Sequence, residues 1–401
     1  MIPIRHLFAR ASLLALCLSA LGEAQSRPAV PRPRLPAGSD SNDVVVLMLH
    51  GSQMLREKPT EAIRAFHWAA RLDPTNAAAL AGERAARLHD DIGLRRKYLS
   101  PRQRMGREFR VVDSLEQAAR MRDPFFGPAH DYALLQRWMV EEYPNEPIGD
   151  LRISVENELV KAGPVSWAWL AHAKGDLPTA LAQYARAMKD DATTRWWIRP
   201  IRARLFATLG QPDSAIAEFE LAVSEPLSAK EAADARKAAE RLTILYQPQS
   251  LQRYSIGLVE EQRGGIAAAR AQYERALQDD LSFWPASLRL GALQLAQGDT
   301  VNGLNTLALA AQAHQHLPYV QYTYALALLR AGRAADAITP LKAATVADPD
   351  FAAPYYALAV LYDRAEMASE ALVAYEQFLA HAAERAPERK GAKERLAALR
   401  P

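Results

Sequence analysis

The chain has 401 residues, 49% of them hydrophobic and 24% charged, with a formal net charge of +3. That length suits two or three globular domains of about 150 residues each, or an array of small repeats. A balance of 49 basic against 46 acidic residues sets up no steering field for nucleic acid, and a single cysteine excludes a disulfide framework or a cysteine-built metal site.

Residues 1–24 have the layout of a secretory signal peptide. Arg5 and Arg10 lead, an uncharged stretch rich in leucine runs over 11–22, and Gly22-Glu23-Ala24 offers small residues for a cut after Ala24. This predicts a periplasmic or secreted protein with no thiol once Cys17 is removed. The apolar run is shorter than the roughly 20 residues that cross a bilayer. An uncleaved leader would instead make the chain a membrane-tethered envelope assembly factor. Leu16 is too bulky before Cys17 for the usual lipoprotein signal. Residues 25–42 interleave Pro28, Pro31, Pro33 and Pro36 with Arg27, Arg32 and Arg34, which predicts an extended, solvated linker.

Beyond residue 43 alanine, leucine, glutamate and arginine recur at helical spacing, so the expected class is all-α. Residues 43–92 are expected to hold one helical pair and a following helix. Residues 93–160 show no clean period, with helical pieces at 111–122, 130–143 and 149–160 and a Pro-Phe-Phe turn at 124–126. The basic stretch 95–110, with only Glu108 in opposition, is a candidate contact for an anionic membrane surface. Residues 161–229 contain two degenerate units, and 230–249 an extra unpaired helix flanked by Pro226 and Pro248.

Residues 250–385 carry the decisive pattern. Units starting at Ser250, Trp284, Pro318 and Ala352 follow one another every 34 residues. The eighth place holds Gly257, Gly291, Ala325 and Ala359, and the twentieth Ala269, Gly303, Ala337 and Ala371. Small residues there let two helices cross closely. The twenty-fourth place holds the filler side chains Tyr273, Leu307, Leu341 and Tyr375. The fifteenth holds Gly264, Gly298 and Gly332, suited to a left-handed turn, with Glu366 as the exception. Residues 386–401 are polar and suit a capping helix.

These units resemble tetratricopeptide repeats. Tyr355, Leu358, Ala359 and Tyr362 match the first helix of that family, Leu290-Gly291 its central pair, and Ala337, Ala344 and Pro349 its second helix and turn. The upstream units match through Ala168, Gly175, Ala180 and Tyr184, through Ala203, Gly210, Ala215 and Phe219, and through Ala62, Phe66, Ala69 and Pro74. The resemblance implies a right-handed superhelical solenoid with an irregular helical insertion, whose first helices line a concave groove. Carried over place by place, it implies a partner-binding face made of Tyr254, Leu258, Leu288, Tyr319, Tyr322, Leu326, Arg330, Tyr356, Val360, Asp363 and Arg364. Tyrosine suits such a face because it offers a broad contact with a polar tip. The implied partner is a protein or peptide, without cofactor or small-molecule substrate. The Lys and Asn residues with which relatives clamp chaperone tails are missing.

No catalytic motif emerges. There is no phosphate loop, nucleophile elbow or His-Glu-x-x-His, and His314 and His316 point roughly 200° apart on a helix. The alternative in another class is a hydrolase or sugar-active enzyme with its site in 92–160, around Asp123 and His130.

Overall fold

A computed structural model describes residues 30–95, 101–125, 163–189, 192–225 and 248–400, with a few isolated positions at 228–233. Among these residues every regular element is an α-helix. We number them α1 (Val44–Met54), α2 (Pro59–Leu72), α3 (Ala77–Arg95), α4 (Pro101–Arg122), α5 (Pro164–Ala173), α6 (Leu177–Ala187), α7 (Ala192–Thr208) and α8 (Pro212–Ser224). The C-terminal series is α9 (Gln249–Gln262), α10 (Ile266–Asp279), α11 (Trp284–Ala296), α12 (Thr300–Ala313), α13 (Pro318–Arg330), α14 (Ala334–Ala347), α15 (Ala352–Arg364), α16 (Ala368–His381) and α17 (Arg389–Leu399). The leader 1–24, most of the extra helix expected over 230–249 and all of 126–162 lie outside the described residues.

Local chemistry sets the helix ends. Pro59, Pro164, Pro212 and Pro318 open their helices, where the missing N–H costs nothing. Asp43, Asp176 and Asp299 cap α1, α6 and α12 through side-chain oxygens. Between the two helices of a hairpin the backbone turns left-handed: φ is 84° at Gly264, 81° at Gly298 and 76° at Gly332. Glu366 adopts φ 58° at the equivalent place, so the turn geometry is kept even where glycine is absent.

Helices pair as α5/α6, α7/α8, α9/α10, α11/α12, α13/α14 and α15/α16, and each second helix also packs on the first helix of the next pair. At the crossings the small residues face the fillers. A Cβ on Gly291 would come within 2.6 Å of Leu307, and one on Gly257 would overlap the Tyr273 ring. Tyr273, Leu341 and Ala325 are fully buried. The stack also runs through the irregular spacing around 230–249. Helix α8 packs directly on α9, and Ala203, Phe219 and Ile256 share one buried cluster, so the two units of 161–229 and the four of 250–385 form one stack. Helix α17 closes the far end, with Ala392 and Leu396 buried against α16.

The N-terminal part holds the pair α1/α2 and the following helix α3, and α4 is added to them. Helix α2 packs as extensively on α3 as on α1, and α4 packs along α3, giving a four-helix unit. Phe66 explains the close approach: it is wedged between Gly51 of α1 and Gly82 of α3. The first described residues also depart from the solvated linker. Arg32 stacks on Trp68, 3.7 Å from the ring centroid, the Trp68 indole donates to the Val30 carbonyl, and Pro33 is buried. A proline-rich segment needs no core of its own when a flat aromatic surface receives it.

Candidate functional site

The expected partner-binding face is the inner wall formed by α9, α11, α13 and α15. At the fifth place Tyr254 and Leu288 are buried, while Tyr322 and Tyr356 are half-buried. The tyrosines serve two tasks. Tyr254 meets Phe283 edge-on at 5.6 Å and Tyr322 meets Phe351 at 5.3 Å, so each also seals the joint to the next hairpin. Tyr356 leans on Phe378 at 5.0 Å.

Three cavities follow this wall. The central one, about 500 Å³, is lined by α11 and α13 and brings together Leu288, Tyr319, Tyr322, Leu326 and Arg330. Leu326 is half-buried and Arg330 is exposed at the rim, with no ion pair recorded among the described residues. The other two are walled on one side by the chain's own N-terminal unit. One, about 300 Å³, sets Tyr322 and Tyr356 opposite Asn42, Asp43, Val44 and Leu72. The other, about 600 Å³, sets Tyr254 and Leu258 opposite Thr75, Arg122, Asp123 and Phe125. Val360 and Arg364 line none of the three, although Arg364 is exposed.

Asp363 is committed elsewhere. Arg395 of α17 grips it through two bonds of 2.8 and 2.7 Å, and the Tyr375 hydroxyl donates to it at 3.3 Å. The bond from Arg395 holds its carboxyl below the usual aspartate range. The same device appears three units earlier, where Tyr273 donates to Glu261 at 2.8 Å and Arg289 approaches that carboxylate at 3.5 Å. An acid at the twelfth place thus ties a filler tyrosine to an arginine that follows it in the stack.

Burial pushes the Tyr254 hydroxyl up to about 12, with Arg289 only partly opposing the shift. Burial raises Tyr375 to about 12 as well, reinforced by Asp363, and lifts Tyr273 further. A folded-state value above the unfolded 10.0 means that the native state keeps its proton longer. The stabilisation is therefore complete below pH 10 and is lost as pH climbs towards 12. Absorbance at 295 nm should show a late group of tyrosines, Tyr254 and Tyr375 among them, that ionises only with unfolding. A single early transition would contradict this burial.

Residues missed by sequence reasoning close the wall. The turn 123–125 is seated in the array: Phe125 meets Phe219 edge-on at 6.3 Å, and its N–H is held by Asp123 at 2.9 Å. Arg122 is half-buried, donating to the Pro74 carbonyl at 2.7 Å, and desolvation lowers its pKa to about 10 despite Asp73. At the other end Arg71 bridges Asp348 and Asp350, 2.7 Å from each. Neither Arg71 nor Arg122 carried a repeat signal.

His314 turns its Nε2 to the Ser282 carbonyl at 2.7 Å, and burial lowers the pKa of His316. No group of three or more metal-ligating side chains occurs among the described residues, and no helix there is long and apolar enough to cross a membrane. His130 of the enzymatic alternative lies outside the described residues, as do the side chains of the basic stretch 95–110.

No family model matches the chain, and no curated protein matches it. Solved structures match at low identity. The crystal structure of MamA is 16% identical, covering 48% of this chain and 96% of its own, with a TM-score of 0.35. YrrB, described as a TPR protein with an unusual peptide-binding site, is 18% identical over 53% of this chain and 96% of its own, at 0.36. The C-terminal part of a TPR repeat-containing protein from Cytophaga hutchinsonii is 16% identical over 58% of this chain and 83% of its own, at 0.42. These values carry no argument about function. The hairpins, their left-handed turns and their small-against-large crossings identify the architecture. This chain is a tetratricopeptide-type helical solenoid. The solenoid's own N-terminal unit lies across part of its inner wall.

Proposed function

We propose that this solenoid is an exported scaffold that takes a polypeptide partner against the central stretch of its inner wall and catalyses no reaction. The observation that supports this most is the α11–α13 cavity, where Leu288, Tyr319, Tyr322 and Leu326 form an apolar floor and Arg330 stands at the rim. Apolar surface with a few oriented polar groups is the common chemistry of recognition sites. Tyrosine hydroxyls supply adaptable bonds, and a guanidinium pairs with an acidic side chain or a terminal carboxylate of the partner. The expected ligand is therefore an extended or helical segment that carries apolar residues next to an acid. The balanced net charge of +3 argues for protein rather than nucleic acid.

The test is photo-crosslinking from Ala292, which is exposed at the edge of this cavity, in the native cell. Leu326→Glu places a charge on the apolar floor without touching a helix crossing. The crosslinked partner is expected to be lost at least tenfold in Leu326→Glu and reduced in Arg330→Glu, with the thermal transition unchanged. Equal crosslinking in all three chains would remove the reading. Export and cleavage after Ala24 are checked by mass spectrometry of the mature N-terminus. An intact leader would favour the tethered form.

A further inference from the structure

We propose that the N-terminal unit, residues 30–95 and 101–125, acts as a cover hinged at one end of the inner wall and latched by charge at the other, so that release of the latch regulates access to Tyr322 and Tyr356. This inference rests on the reading of that wall as a partner site.

The two ends of the cover are held by different chemistry. Near α9 and α11 the contact is apolar: Phe125 packs with Phe219 and Ile256, and the half-buried Met121 packs against the buried clusters of both α9–α11 and α11–α17. Near α15 and α16 it is polar. Arg71 spans Asp348 and Asp350, and Arg32 lies 3.7 Å from Asp350. Arg385 reaches back to Asp43 at 2.6 Å, Asp40 accepts the Glu384 N–H at 2.6 Å, and Asn42 donates to the Ala380 carbonyl at 2.9 Å. Among the described residues no apolar side chain from 30–95 belongs to the buried cluster of α11–α17, and a cavity of about 300 Å³ separates the two surfaces.

Packed aromatic and thioether groups resist separation. Ion pairs beside solvent are weak singly, are screened by salt, and leave behind groups that water rehydrates well. The latch therefore opens before the hinge. Trp68 makes it cooperative, because it holds both Arg32, at 3.7 Å, and Arg71, at 4.8 Å, in place for the shared Asp350. The surface uncovered at that end includes Tyr322, Tyr356 and Phe378, a ready apolar face continuous with the open central cavity through Tyr322. A partner that binds this face binds only the released form and shifts the population towards it.

The test uses the full chain with Cys17→Ser, which removes its one thiol. Ala353→Cys places a reporter in the covered cavity and Ala292→Cys one in the uncovered cavity. Reaction with a bulky maleimide is timed in each. Adding Arg71→Glu is expected to speed modification at position 353 at least tenfold and at position 292 less than twofold. Adding Arg32→Glu, Asp348→Arg and Asp350→Arg to Arg71→Glu, which reverses the whole cluster, should restore the slow rate. Raising salt to about 1 M, where screening acts over about 3 Å, should speed position 353 in the otherwise unsubstituted chain. Should Arg71→Glu reduce helix content, the salt series decides. Equal rates at position 353 with the latch intact, broken by Arg71→Glu and screened by salt would overturn the proposal. No partner enters this measurement, so its failure is distinct from a failure of the Leu326→Glu crosslinking test.

Discussion

Gly257→Leu should destabilise the C-terminal array by about 3 kcal/mol, at the upper end of what overpacking a core costs. Any Cβ at Gly257 overlaps the Tyr273 ring, and that ring has no room to retreat. It is fully buried, its hydroxyl is held by Glu261 at 2.8 Å, and the Tyr254 ring stands 5.7 Å away. The hairpin α9/α10 must then open, and the loss passes to its neighbours because each unit is stabilised by the next. A matched control is Gly391→Ala in α17, where an added Cβ meets nothing within 4 Å. There the helix-propensity difference of about 1 kcal/mol should appear as a gain. Thermal or denaturant unfolding measures both. Similar small losses in the two variants would mean that the eighth place is not a crossing.

Glu116→Leu should cost about 3 kcal/mol and act on the N-terminal unit. Glu116 of α4 is 1% exposed, and its carboxylate lies 2.9 Å from Arg120 and 3.6 Å from Arg84 of α3. Both guanidiniums are themselves buried. Deleting this anion leaves two desolvated cations without the carboxylate between them, and isosteric packing does not compensate for that. Replacing all three with apolar residues of similar volume should recover most of the loss, since a buried ion pair stabilises little over a packed apolar triad. Hydrogen exchange is the natural readout: protection should fall in α3 and α4 while α13 to α16 keep theirs. Unaltered protection in α3 and α4 would mean that the pair contributes nothing.

A second ionic site in the same unit sets a pH dependence. Burial pushes the Glu83 carboxyl up, but His67 and Arg87 outweigh it and the net shift is downward. A depressed folded-state value stabilises above the ordinary glutamate range and is lost as pH falls through the folded value. Acid should therefore loosen α2 and α3 at that point.

Much of the solenoid was legible one unit at a time. Gly257 against Tyr273 and Gly291 against Leu307 are contacts between residues 16 apart, and the size of each partner is written at its own position. The left-handed turn at Glu366 was harder, because the residue type argues against the conformation that its place in the repeat demands. The candidate face was legible as a set of positions, and five of its residues share the central cavity. Their states were not. Asp363 is engaged by Arg395, and Tyr254 is sealed in by Phe283, because each depends on the neighbour that the stack supplies.

The amino-acid sequence by itself determined the helical class, the hairpin period and which side chains meet at each crossing, since those contacts close short loops between residues of matched size. Only the tertiary structure decided that the N-terminal unit returns to the far end of the array. Arg71 meets Asp348 across 277 residues and Glu384 meets Asp40 across 344. Such meetings depend on the rotation accumulated from unit to unit, and no local pattern encodes that sum. They also use arginines and aspartates that look, in sequence, like any solvated pair.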